Sequence, residues 1–174
     1  MEKHIQTPIT QDLAVTLQAG DMVYISGTIY SARDAAHKRM FEALKKGESL
    51  PIPLTDNVIY YLGPSPAREG RPIGSAGPTT SGRMDKYTPQ LLDKGLRGMI
   101  GKGKRTEAIK EAMIRNKAVY FAAIGGAGAL LSKCITASEV IAYENLGTEA
   151  IRKLEVKDLP AIVVMDANGN CLYQ

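Results

Sequence analysis

Four short stretches carry the residues best suited to chemistry; three set cations or hydroxyls against glycine, and the fourth is a run of glycine and alanine. The first is Gly27-Thr28-Ile29-Tyr30-Ser31-Ala32-Arg33-Asp34-Ala35-Ala36-His37. It reads as a strand running into a helix start, where free N–H groups and the helix dipole favour anions. Arg33 in that first turn is unfavourable by itself and makes sense if it and the helix end face one bound anion. The alternative is an Arg33 that points to solvent or pairs with Asp34. His37, one turn on, reads as a surface or internally satisfied histidine. The second stretch is Gly77-Pro78-Thr79-Thr80-Ser81-Gly82-Arg83-Met84-Asp85. Hydroxyls and exposed N–H groups can cradle a carboxylate, and arginine can grip it with two parallel bonds. A hydroxyl can also carry a proton if a neighbour lowers its pKa. A plain polar turn is the competing reading.

The third stretch is Gly101-Lys102-Gly103-Lys104. Arg105 follows, so the Gly-Lys-Ser/Thr ending of a phosphate loop is missing. The flanking glycines would let Lys102 approach a ligand closely; a solvated lysine is the other reading. The fourth is Ile124-Gly125-Gly126-Ala127-Gly128-Ala129, whose spacing is not the dinucleotide pattern GxGxxG. Tight helix–strand packing explains it as well.

The elements around these stretches alternate between periods of two and of 3.6. Residues 12–18 alternate through Leu13, Val15 and Leu17 and read as a strand, and Met22–Tyr30 reads as another. Ser31, with Asp34 three residues on, reads as an N-cap. The helix that follows extends to about Lys46 on an apolar face of Ala36, Met40, Ala43 and Leu44, and Gly47 stops it. Val58–Leu62 is strand-like, and 63–82 is too long for a simple connector. Thr88-Pro89 opens a helix that Gly95 closes, Arg97–Ile100 is a short strand, and Thr106 caps a helix to about Asn116. Ala118–Ile124 and Ile135–Tyr143 read as strands, with a short helix at 129–133 between them. Ala161–Met165 and Cys171–Tyr173 flank a hairpin signal at Ala167-Asn168-Gly169. The expected fold class is α/β, with residues 1–174 as one domain.

Composition narrows the classes. A chain of 174 residues, 44% hydrophobic and 23% charged, is ordinary for a soluble protein. There is no apolar run of membrane length, and the first ten residues lack the apolar core of a secretory signal, so a cytoplasmic protein is expected. The net charge of +4 comes without a dense basic run. With two Phe and no Trp, a stacking platform for nucleic acid is not expected. Cys134 and Cys171 lack the close spacing of a metal or cluster ligand set and read as reduced thiols.

Taken in order along the chain, Gly27–His37, Gly77–Asp85, Gly101–Gly103 and Ile124–Ala129 resemble the C-terminal domain, or β subunit, of class I fumarases, a family that includes L(+)-tartrate dehydratases. The resemblance runs from about Leu13 to Tyr173, and Gly77–Asp85 is its most specific part. It implies a swivelling β/β/α domain with a mixed sheet, working in a hydro-lyase that hydrates or dehydrates a small dicarboxylate. It also implies a 4Fe-4S cluster held by three cysteines of a separate α subunit and not by this chain. By motif, Arg33, Arg83 and Lys102 correspond to substrate-binding cations. Thr79 corresponds to a catalytic threonine proposed to move a proton beside the carboxylate. A hydrogen bond to the substrate is the other role open to Thr79. Asp34, His37 and Asp85 are expected to support these groups. Fumarate and tartrate are both open as substrates. The rival readings are a non-catalytic binding or assembly module on the same scaffold and a nucleotide-binding domain built on Gly125–Gly128.

Overall fold

In the computed structural model, residues 2–62, 72, 74, 76–124 and 131–173 are described. Strand β1 (Glu2–Gln6) and a one-turn helix α1 (Gln11–Ala14) precede β2 (Met22–Ser31). Three right-sized crossover units follow: α2 (Asp34–Lys45) to β3 (Val58–Tyr60), α3 (Thr88–Asp93) to β4 (Gly98–Gly101), and α4 (Glu107–Asn116) to β5 (Val119–Ala123). Strands β6 (Ile135–Ala142) and β7 (Ile151–Met165) complete the chain.

β2, β3, β4 and β5 are parallel neighbours in that order. The long β7 runs antiparallel to both β5 and β2 and closes the ring. β1 lies parallel beside the first half of β2, and β6 antiparallel beside the first half of β7. Parallel strands need a crossover, and the helices that provide it cover the outer face. This is why β3 is buried along its whole length (Val58, Ile59 and Tyr60, each 0% exposed). One apolar cluster fills the ring, with Val23, Ile25, Ile29, Tyr60, Ile100, Phe121 and Leu154. A second lies between the ring and the helices, with Met40, Ile59, Tyr61, Leu91, Met99 and Met113. The expected mixed α/β fold, a β/β/α arrangement with a mixed sheet, is therefore present.

Some local expectations need correction. Residues 12–18 are not a strand. Thr10 caps α1, its hydroxyl oxygen accepting from the Leu13 N–H at 3.2 Å. Ala14 and Leu17 are the buried positions and Val15 is exposed, which is helical spacing rather than alternation. Ser31 is the last residue of β2, not an N-cap. Arg33 holds the cap position with extended backbone and no side-chain cap bond. Tyr87, not Thr88, precedes α3, and the Thr88 hydroxyl donates to the Met84 carbonyl at 2.8 Å. β1 and the first half of β7 were not expected at all. The stops at Gly47 and Gly95 hold, both with positive φ. The glycines 125–128 and the start of the short helix expected at 129–133 lie outside the described residues.

Candidate functional site

Ligands of α/β sheets bind beyond the carboxyl ends of the parallel strands, and here those ends gather the candidate residues. Past β3, the Thr79 N–H donates to the Tyr61 carbonyl at 2.8 Å. Thr80 then bridges in parallel to Lys102, just past β4, and the Ser81 N–H donates to the Lys102 carbonyl at 2.8 Å. Two backbone ladders thus hold the hydroxyl run against the lysine. Thr79 is half-buried, and Lys102 is exposed with no ion pair among the described residues.

A 3-10 turn, Ser81–Met84, next carries Arg83 outward. Its guanidinium chelates Asp34, Nε to Oδ2 at 3.0 Å and Nη2 to Oδ1 at 3.1 Å. Asp34 is the first residue of α2 and follows Arg33. The pair therefore ties the Gly77–Asp85 loop to the Arg33 corner, and Arg33 does not pair with Asp34. An open groove of about 700 Å³ runs beside it, lined by Asp34, Gly82, Arg83, Asp85, Lys86 and Tyr87 among others. Arg33, Thr79 and Lys102 do not line this groove. They stand at the strand ends next to it.

A buried brace underlies the loop. Arg105 Nε donates to Asp85 Oδ1 at 2.6 Å, with side chains 0% and 5% exposed. Arg105 Nη2 donates to the Tyr61 hydroxyl at 3.0 Å, and its guanidinium lies 5.1 and 4.8 Å from the ring centres of Tyr61 and Tyr120. The Tyr120 hydroxyl donates to the Gly103 carbonyl at 2.8 Å and shares a 2.7 Å hydrogen bond with Ser81 Oγ. Asp85 Oδ2 accepts the Thr106 N–H at 2.7 Å and so caps α4, which the Thr106 side chain does not. Burial works against the Arg105 charge, but Tyr61 and Asp85 more than offset it and hold its proton more tightly than usual. Gly101 is required here, because a Cβ would fall on Ser81 Oγ and come within 2.7 Å of Tyr61.

His37 is fully buried, edge-on to Tyr61 at 5.4 Å between ring centres. Its Nδ1 lies 2.8 Å from the Arg33 carbonyl, which can only accept, so Nδ1 carries the hydrogen. Burial pulls its pKa down to about 4, outweighing the opposite effect of that hydrogen bond, so the ring is neutral. His37 Nε2 and Arg33 Nε are both buried without partners among the described residues. The Glu149 carboxylate, from the segment before β7, accepts the Ala35 N–H at 3.2 Å and takes over the capping that Arg33 does not perform.

The arrangement gathers cations and hydroxyls at one end of the parallel strands, a chemistry that suits a small anion. The four residues singled out from sequence, Arg33, Thr79, Arg83 and Lys102, are joined by these backbone ladders and by the Asp34–Arg83 pair. The residues missed are Arg105, Tyr61, Tyr120 and Glu149. Arg105 was legible only as the residue that spoils a phosphate-loop pattern. Nothing local marks an arginine for burial.

A profile of the family described as Fumarase C-terminus matches residues 2–174. The chain belongs to that family. Within it, the chain is 41% identical over 152 residues to the aerobic class I fumarate hydratase of Salmonella typhimurium, covering 86% of this chain and 26% of that protein. It is 39% identical over 156 residues to fumarate hydratase 2 of Leishmania major, covering 88% of this chain and 28% of that one. The chain thus spans about a quarter of these longer relatives. The putative L(+)-tartrate dehydratase subunit beta of Methanocaldococcus jannaschii is 36% identical over 164 residues, covering 91% of this chain and 84% of its own length. The names within this fumarase family describe hydro-lyases, and one of them describes a β subunit. Among the described residues no helix is long and apolar enough to cross a membrane.

Proposed function

We propose that this chain is the β subunit of a 4Fe-4S-dependent hydro-lyase acting on fumarate and malate or on tartrate in the cytoplasm. The observation that supports this most is the backbone ladder that seats Thr79, Thr80 and Ser81 against Lys102, one 3-10 turn from Arg83. In this reading Arg33, Arg83 and Lys102 hold the substrate carboxylates. Loss or gain of water beside a carboxylate passes through a carbanion-like state with extra negative charge on that carboxylate. Cations that grip this state more strongly than the ground state lower the barrier. Thr79 either moves the proton at the carbon next to the carboxylate or donates a hydrogen bond to the substrate.

The thiols of this chain do not fit a cluster. Cys134 packs against the ring interior and Cys171 against the outer layer, so they border different cores. As the family resemblance implies, the cluster then sits on an α subunit, and the β part swivels to close over it. The α subunit, co-expressed and purified with this chain without oxygen, should yield a complex that converts fumarate, malate or tartrate. A complex that forms with its cluster intact and acts on none of the three would overturn the proposal.

A further inference from the structure

At the mouth of the ring, polar side chains stand where apolar ones stand lower down. Along the β2–β7 ladder Ile29 faces Leu154, and the next pair on that side is Ser31 opposite Arg152. Ile29 and Leu154 lie in the ring interior. Side chains alternate between faces, so Ser31 and Arg152 also face inward, with Cβ atoms about 5 Å apart. The registers carry this level across the sheet: Ser31 lies beside Tyr60, and Tyr60 beside Ile100, both interior residues. Lys102 is two residues beyond Ile100, on the same side and nearer the mouth. Ser31 and Arg152 thus share a wall with a lysine already in the candidate site.

Both have unspent donors. Ser31 is 1% exposed, and its hydroxyl has no hydrogen-bond partner among the described residues. Arg152 Nε is likewise buried and has no partner among the described residues, while its Nη1 donates to Ser138 Oγ at 3.2 Å and anchors the group. The remaining edge, Nε with Nη2, is the one by which Arg83 chelates a carboxylate in this same molecule. Three acids of the adjoining segments have partners of their own: Glu149 the Ala35 N–H, Asp34 the Arg83 guanidinium, and Glu155 the Thr28 hydroxyl. A buried guanidinium N–H and a buried hydroxyl left unpaired are destabilising. A carboxylate is the acceptor that answers both.

We infer that Ser31 and Arg152 form a carboxylate subsite on the inner wall of the mouth. It takes one end of a small di-acid side-on through Arg152 Nε and Nη2, with Ser31 Oγ as a further donor. The di-acid itself rests on the proposed function; the subsite rests on the geometry. With Lys102 on the same wall to take the other carboxylate, the mouth would favour di-acids over mono-acids of the same length.

The test is a titration of the 15N-labelled chain with succinate, tartrate, butyrate and chloride, following the arginine Nε–H signals and assigning that of Arg152 with Arg152→Lys. The two di-acids should move the Arg152 signal at concentrations where butyrate and chloride do not. Arg152→Leu should weaken di-acid binding about tenfold or more, the loss expected for a charge-assisted pair. Arg152→Lys should recover only part, since an ammonium lacks the fork. Ser31→Ala gives a second reading if Arg152→Leu does not fold, and it should weaken binding about threefold, the weaker end expected for a single hydroxyl. An Arg152 signal that stays still, or that moves equally with chloride, would overturn the subsite. So would di-acid affinities within twofold of the parent in the folded Arg152→Lys and Ser31→Ala variants. Shifts without turnover in the assembled complex would spare the subsite and sink the hydro-lyase reading. Turnover with di-acid KM unaltered by Arg152→Lys would do the reverse.

Discussion

Replacing Arg105 with methionine removes the cation from the brace beneath the Thr79–Arg83 loop while roughly keeping its volume. The Arg105–Asp85 pair is 2.6 Å long, with both side chains almost wholly out of water. Taking one partner from a buried pair costs about 3–5 kcal/mol, because the remaining charge has lost its counter-charge. Asp85 retains the Thr106 N–H at 2.7 Å, which softens the loss. The contacts over Tyr61 and Tyr120 add to it. The expected net cost is about 4 kcal/mol, a fall in Tm of roughly 8–16 °C for a chain of this size. Chemical denaturation of the parent, Arg105→Met, Asp85→Asn and the double variant should show the double variant less damaged than the two single costs combined, by about 2 kcal/mol. The same variants should bind dicarboxylates more weakly, since Ser81 and Gly103 are held through Tyr120. An Arg105→Met variant within about 1 kcal/mol of the parent, or costs that simply add, would refute the brace.

Three further outcomes are expected. His37 has a folded pKa depressed from 6.5 to about 4, so the unfolded chain binds the extra proton first as pH falls. Stability from this group is therefore complete above about pH 6.5 and is lost between there and pH 4, by roughly 3 kcal/mol. Denaturation midpoints of His37→Gln should lack that part of the slope, and an unchanged pH profile would count against a neutral buried ring. Gly101→Ala should cost about 1–3 kcal/mol by pressing on Tyr61 and pushing the Ser81 hydroxyl from Tyr120, read by thermal melts, with a parent-like melt as the contrary result. Asp34→Asn frees Arg83 from an exposed pair of modest strength, so KM for a dicarboxylate in the assembled complex should fall, by up to about fivefold. A raised KM would mean that Asp34 orients Arg83 rather than competing for it.

How much of this was legible in the sequence depended on the range of the forces involved. The units α2 to β5 were readable because period and glycine stops act within a few residues, as at Gly47 and Gly95, whereas the side-chain caps read at Ser31, Thr88 and Thr106 are not formed. The strand misread at 12–18 turned on one spacing, in which Leu13, Val15 and Leu17 fit alternation although Ala14 and Leu17 were the buried pair. β7 was half missed because Arg152, Lys153, Lys157 and Asp158 break the apolar run. They are tolerated because pairing with β2 and β6 satisfies the backbone whatever the side chains. Arg33, Thr79, Arg83 and Lys102 could be singled out as candidates because the order of their motifs along the chain resembles that of the family, which no one stretch shows alone. The Asp34–Arg83 chelation, the burial of Arg105 and the unpaired Ser31 and Arg152 depend on contacts between distant segments, which no local pattern encodes.

The central claim is that the loop ends at Thr79–Arg83 and Lys102 clamp the carboxylates of a substrate. Steady-state kinetics of the assembled complex with Arg83→Ala and Lys102→Ala test it most directly, using fumarate, malate and tartrate. Each variant should raise KM and lower kcat on whichever substrate the parent uses, a combined loss of about tenfold or more for one charge-assisted contact. Parent-like kcat and KM in both variants would contradict the claim.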